Sequence, residues 1–105
     1  MSNFTVEQTV PEQTVQDLLD CAWEGGSNYW AQADGPSSQA FESSGVKIFV
    51  GDEVHVLNQE KLARGLQTLC SDWPWHWAHL FNDNMDAETG DVFLQCCLFG
   101  TIVYG

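Results

Sequence analysis

Cationic side chains are almost missing from this sequence: Lys47, Lys61 and Arg64 stand against fifteen Asp and Glu, giving a formal charge of −12 at neutral pH. A folded chain this acidic repels nucleic acid and anionic membranes and is drawn to basic surfaces. It also serves phosphate-bearing substrates poorly. Gly25-Gly26 follows a helical stretch, whereas phosphate-cradling glycines precede one, and neither a P-loop nor GxSxG occurs. No nucleophile beside a base and no pair of carboxylates is legible as a catalytic pattern, so the expectation is a non-enzyme without a cofactor.

Long apolar runs are missing as well, since no stretch approaches eighteen residues. The opening MSNFTVEQTVPEQ lacks the basic and apolar regions of a signal peptide, so a cytosolic protein is expected. Neither CxxC nor HExxH is present. Cys70, His76 and His79 are the only zinc set worth weighing, and adjacent Cys96 and Cys97 point to different sides of a helix, so no metal is expected. In a reducing compartment the four cysteines, Cys21, Cys70, Cys96 and Cys97, are expected as buried free thiols. Residues 82–91, NDNMDAETGD, alternate amides and carboxylates at Asn82, Asn84, Asp86 and Glu88, but Ala87 and Phe93 fall where a calcium loop needs Gly and Glu.

What the chain does have is apolar bulk: 44% hydrophobic residues with five Trp, six Phe and two Tyr in 105 residues, enough for one compact core. The pattern predicts an α+β domain over residues 13–105, preceded by a flexible or lightly docked arm at 1–12. Thr14 and Asp17 resemble a capping box, and Val15, Leu18, Leu19, Ala22 and Trp23 follow at helical spacing. Gly25 or Gly26 is expected to end this helix in a left-handed conformation, with Tyr29 and Trp30 starting a strand. Residues 34–45 read as loop. The β-branched runs around Gly51-Asp52 predict a hairpin of 46–50 and 53–57.

Asn58 then caps a helix with Leu62, Leu66, Leu69 and Cys70 on its apolar face, and a short helix follows over 75–81. Asp86 caps a last helix, Ala87 to Phe99, with Asp86, Glu88 and Asp91 toward its positive end, and Gly100 stops it. Residues 101–104 read as a final short strand.

Two regions are candidates for function. Asp17, Asp20 and Glu24 share one stripe of the first helix, and at 1.5 Å rise per residue they lie about 4.5 and 6 Å apart along its axis, near the phosphate spacing of one DNA strand. Such a stripe imitates DNA and suits the basic surface of a protein partner. Trp23, Asn28, Tyr29 and Trp30 are the alternative, as walls of a small-molecule pocket. The Trp73, Trp75, Trp77 run, without a basic rim, reads as core wall or protein-contact patch.

Two stretches, EGGSNYW at 24–30 and DAETGDVFLQCCLFGTIVYG at 86–105, resemble a family of small uncharacterised bacteriophage and prophage proteins. That family pairs a helix ending in EGGSNYW with a C-terminal DAETADVFLQ helix and a closing FG-x-x-VYG. Gly90 stands where the family pattern has Ala, which is expected to weaken that helix by roughly 1 kcal/mol. The resemblance covers both ends of the chain and implies a phage origin, a host-cytoplasmic location and a shared fold. Phage origin together with charge implies a non-catalytic inhibitor of host defence, of anti-CRISPR or anti-restriction type, that occupies the basic nucleic-acid-binding surface of a host protein without touching nucleic acid or membrane. The alternative is a module that sequesters a small molecule or nucleotide signal.

Overall fold

Helix formation starts at a proline. Pro11 has its φ fixed at −60°, and its carbonyl accepts the amides of Thr14 and Val15 at 3.0 and 3.3 Å, so α1 runs Glu12–Cys21. Thr14 therefore lies inside the first turn rather than capping it. The computed structural model describes residues 9–82 and 85–105. Residues 1–8 of the expected arm lie outside the described residues, while Val10 packs half-buried on the core and Glu12 already belongs to α1.

The remaining elements are a π-helical turn at Ala22–Gly26, β1 (Gln32–Ala33), a 3-10 turn at Ser37–Phe41, β2 (Val46–Val50), β3 (Glu53–Leu57), α2 (Gln59–Asp72), α3 (Pro74–His79) and α4 (Ala87–Phe99). The architecture is α+β in one small domain. The hairpin has the expected bounds, with Gly51 at φ 59° in its turn and Val46 opposite Leu57. β1 adds antiparallel to the other side of β2, Gln32 opposite Phe49, so the sheet order is β1-β2-β3. Tyr29 and Trp30 precede this strand rather than starting it.

α4 is the centre of the molecule. Every residue from Thr89 to Leu98 is buried, because α1 and the π-turn cover one side, α2 another and the sheet a third. Asp86 caps it by accepting from the Thr89 amide at 2.9 Å, and Gly100 closes it at φ 73°. Arg64 from α2 donates to the Cys97 carbonyl at 2.6 Å, placing a cation on the negative end of the helix dipole. A Cβ on Gly90 would sit 2.6 Å from Cys21 Cβ and 2.7 Å from the Leu18 carbonyl oxygen. Gly90 is thus a contact that lets α1 and α4 touch, which corrects the expectation that it only weakens its helix.

Residues 101–104 form no strand. The fully buried Gln95 side chain takes the place of a neighbouring strand: its Oε1 accepts the Val103 and Tyr104 amides at 2.7 and 2.8 Å, and its Nε2 donates to the Tyr104 carbonyl at 2.8 Å.

Candidate functional site

The corner after α1 opens with a widened turn, in which the Ser27 amide bonds the Ala22 carbonyl at 3.1 Å, five residues back. Neither glycine is left-handed, contrary to expectation: Gly25 has φ 161°, close to extended backbone. Gly26 is required for another reason. A Cβ there would collide with the backbone carbonyl of Ala87 at the start of α4.

This close approach brings residues 27–30 onto Asp91. The carboxylate is 9% exposed and accepts from Ser27 Oγ at 2.8 Å, Trp30 Nε1 at 2.6 Å, Tyr29 OH at 3.1 Å and Gln95 Nε2 at 3.2 Å. Four neutral donors replace the water that a buried charge would otherwise lose, so no cation is needed. Trp30 is buried and stacks on Tyr104, ring centroids 5.1 Å apart and 8° from parallel, with Phe99 at 5.4 Å. Tyr29 keeps its ring in solvent, and desolvation of its phenol, followed by the bond to Asp91, pushes the phenol above its usual range. Asp91 is therefore the anchor of the corner and does not face the helix dipole from the surface. Its sequence signal was a lone acid inside the apolar run Gly90–Leu98, one turn before a buried glutamine.

The proposed pocket of Trp23, Asn28, Tyr29 and Trp30 divides in two. Tyr29 and Trp30 belong to the Asp91 corner, whereas Trp23 and Asn28 line a cavity of about 440 Å³ together with Gln32, Ala33, Ile48, Leu94 and Ser27, the last shared with the corner. Trp23 is half-buried, with its indole N–H donating to the Gly35 carbonyl at 3.2 Å.

The acidic stripe of α1 is also uneven. Glu24 is exposed, and half-buried Asp17 bonds only Gln13, at 2.9 Å. Asp20 is held: Ser37 Oγ and Gln16 Nε2 both donate to it at 2.8 Å, tying α1 to the 3-10 turn. Asp86 joins the stripe from α4. Burial, then the charges of Glu24, Asp86, Asp17 and Asp20 in that order, push the Cys21 thiol upward, so all four carboxylates contribute to the field at this sulfur. Among the described residues no Lys or Arg pairs with a carboxylate; the one acid-base contact is His55 to Glu53 at 3.8 Å.

On α3, buried His76 and half-buried His79 both turn Nδ1 toward Thr89 Oγ1, at 3.3 and 3.1 Å. The Thr89 hydroxyl donates to Asp86. The Thr89 amide holds the Asp86 carboxyl below the usual carboxylate range, with smaller help from His79 and His76. Cys70 is exposed, and among the described residues no three His, Cys, Asp or Glu side chains are grouped as a metal site. Of the three tryptophans, Trp75 is 75% exposed while Trp73 and Trp77 pack half-buried on the core. All four cysteines are free thiols: Cys96 and Cys97 are buried, Cys21 is half-buried, and Cys70 departs from the expected burial. Asn84, part of the calcium-like spacing, lies outside the described residues.

No protein-family model, curated protein or solved structure matches the chain.

Proposed function

We propose that this protein is a non-catalytic inhibitor of phage type that covers a basic, nucleic-acid-binding surface on a host defence protein with the face formed by Asp17, Glu24 and Asp86. The observation that carries this reading is the close packing of the start of α4 on the end of α1, which adds the field of Asp86 to that of the α1 carboxylates, in a protein whose cations are three and whose Arg64 is bonded to the end of α4. Such a face attracts the groove that would hold a phosphate backbone. Asp20 belongs to the face but is engaged with Ser37, so its contribution is mainly to hold the neighbouring acids in place.

The test is recovery of the partner from host lysate at low salt, followed by binding kinetics with the variant Asp17→Asn/Glu24→Gln/Asp86→Asn. Asn still caps a helix, Glu24 and Asp86 are exposed, and half-buried Asp17 bonds only Gln13 on its own helix, so at about 0.5 kcal/mol for each such surface change the fold should survive. The expected result is a loss of affinity of about tenfold or more, mostly in on-rate, with steep salt dependence in the wild type and displacement by excess duplex DNA. Unchanged binding by the variant and flat salt dependence would show that this face is not the contact.

A further inference from the structure

The cavity beside the π-turn has a chemistry opposite to that of the acidic face. About 440 Å³ is within the range of small-molecule sites, and no ionisable side chain lines it. Ile48 and Leu94, each 1% exposed, form an apolar floor, so the cavity reaches the core. Trp23 forms a side wall, and its ring is fixed by the indole bond to Gly35. Asn28 and Gln32 are exposed and supply carboxamides at the mouth.

The strand register supplies the specific element. The Asp34 amide donates to the Lys47 carbonyl at 2.9 Å, which makes Asp34 and Lys47 a hydrogen-bonded pair. In an antiparallel ladder such pairs alternate, so Ala33 and Ile48 form a non-hydrogen-bonded pair. The N–H and C=O of Ala33 therefore point away from β2, along the outer edge of β1, and Ala33 lines the cavity. One extended residue thus offers a donor and an acceptor side by side, the complement of a lactam edge in which N–H and C=O are adjacent. An anion would enter against a charge of −12 with no lining cation, and a cation would find no lining carboxylate.

We propose that this cavity binds an uncharged, planar nitrogen heterocycle with a lactam edge, a nucleobase or nucleoside, its ring against Trp23 and its lactam on the Ala33 backbone. Stacking on an indole and two backbone hydrogen bonds are the means by which such rings are held. The site is separate from the acidic face and stands or falls without it.

Guanosine is the probe, titrated into ¹⁵N-labelled protein. The expected result is saturable shifts of the Ala33 and Gln32 amides and of the Trp23 indole N–H, while the Trp30 indole N–H, bonded to Asp91, stays in place. Guanosine monophosphate, repelled by charge, and 1-methylguanosine, which cannot donate from its lactam nitrogen, should each bind about tenfold more weakly, the loss expected for one hydrogen bond or a comparable repulsion. Ala33→Pro removes the outward N–H at an edge-strand position that tolerates proline, and should weaken guanosine about tenfold while the Trp30 signal reports an intact corner. Ala31→Phe, which fills the mouth, is the second variant should proline disturb the strand, and it should abolish the shifts. The proposal is overturned if neither guanosine nor uridine gives saturable shifts at millimolar concentration, if the shifts fall elsewhere, if the phosphate binds as well as the nucleoside, or if both variants bind like wild type.

Discussion

Asp91 and Asp17 are the same side chain on two packed helices, and their surroundings assign them opposite tasks. Asp91 is buried on α4 beneath four neutral donors, and three of these come from residues 61 to 64 positions earlier in the chain. Asp17 sits half-buried on α1, bonded only to a glutamine four residues away. A carboxylate with several fixed donors organises structure, because the buried Ser27 hydroxyl and Trp30 indole N–H find their acceptor in it once water is excluded. A carboxylate left on the surface in a cation-poor protein contributes its field instead. The difference between corner and stripe is therefore a difference in how many donors the fold aims at each acid.

The sharpest way to break this contrast is Asp91→Ala. It strands the buried Ser27 and Trp30 donors, each worth about 1–3 kcal/mol when unsatisfied, and removes one of the two bonds of Gln95 Nε2, so it should destabilise the protein by about 3 kcal/mol or more in urea unfolding followed by tryptophan fluorescence. A loss below about 1 kcal/mol would mean that the corner does not depend on this carboxylate. Next is Gly90→Ala. Helix propensity alone favours Ala by about 1 kcal/mol, but forcing a methyl between α1 and α4 should cost more, for a net destabilisation of about 1–2 kcal/mol. A stabilised variant would show that the two helices do not meet as closely as described. The smallest effect separates acids within the stripe. Asp20→Asn should cost about 1 kcal/mol through the Ser37 contacts, whereas Asp17→Asn should stay within about 0.5 kcal/mol; equal values would remove the distinction between held and free acids.

Features decided over a few residues were legible in the sequence. The hairpin follows from Gly51-Asp52 between β-branched runs, and the caps at Asn58 and Asp86 each bond an amide three residues on. Features decided by distant partners were not. The Thr14 cap lost to Pro11, whose fixed φ starts the helix earlier, and the expected strand at 101–104 lost to a single side chain, Gln95. Cys70 reads as part of the α2 apolar face, yet the buried residues of that helix are Leu62, Gly65 and Leu69, with Gly65 lying directly against Cys97 of α4. Of the candidate site residues, Glu24 is exposed and Asp17 half-buried on α1. The pocket was split because nothing local to Tyr29 or Trp30 reveals that Asp91 claims them. Gly25 or Gly26 was expected to make a left-handed turn, but Gly26 is required by the backbone crossing at Ala87, and the space beside Gly25 is open.

The crossing of α2 over α4 has a chemical consequence of its own. A Cβ on Gly65 would strike the Cys97 sulfur, so α2 lies directly against that sulfur and leaves no room on this side. Burial also pushes the Cys97 thiol well above its ordinary range and its neighbour Cys96 up to about 11, keeping both in the unreactive protonated form. Sulfenic acid formation needs a thiolate that the oxidant can reach, and burial of both sulfurs opposes each requirement. Peroxide or air therefore meets this protein first at exposed Cys70, where mixed disulfides and covalent pairing of two chains would occur without any change in the packing around α4.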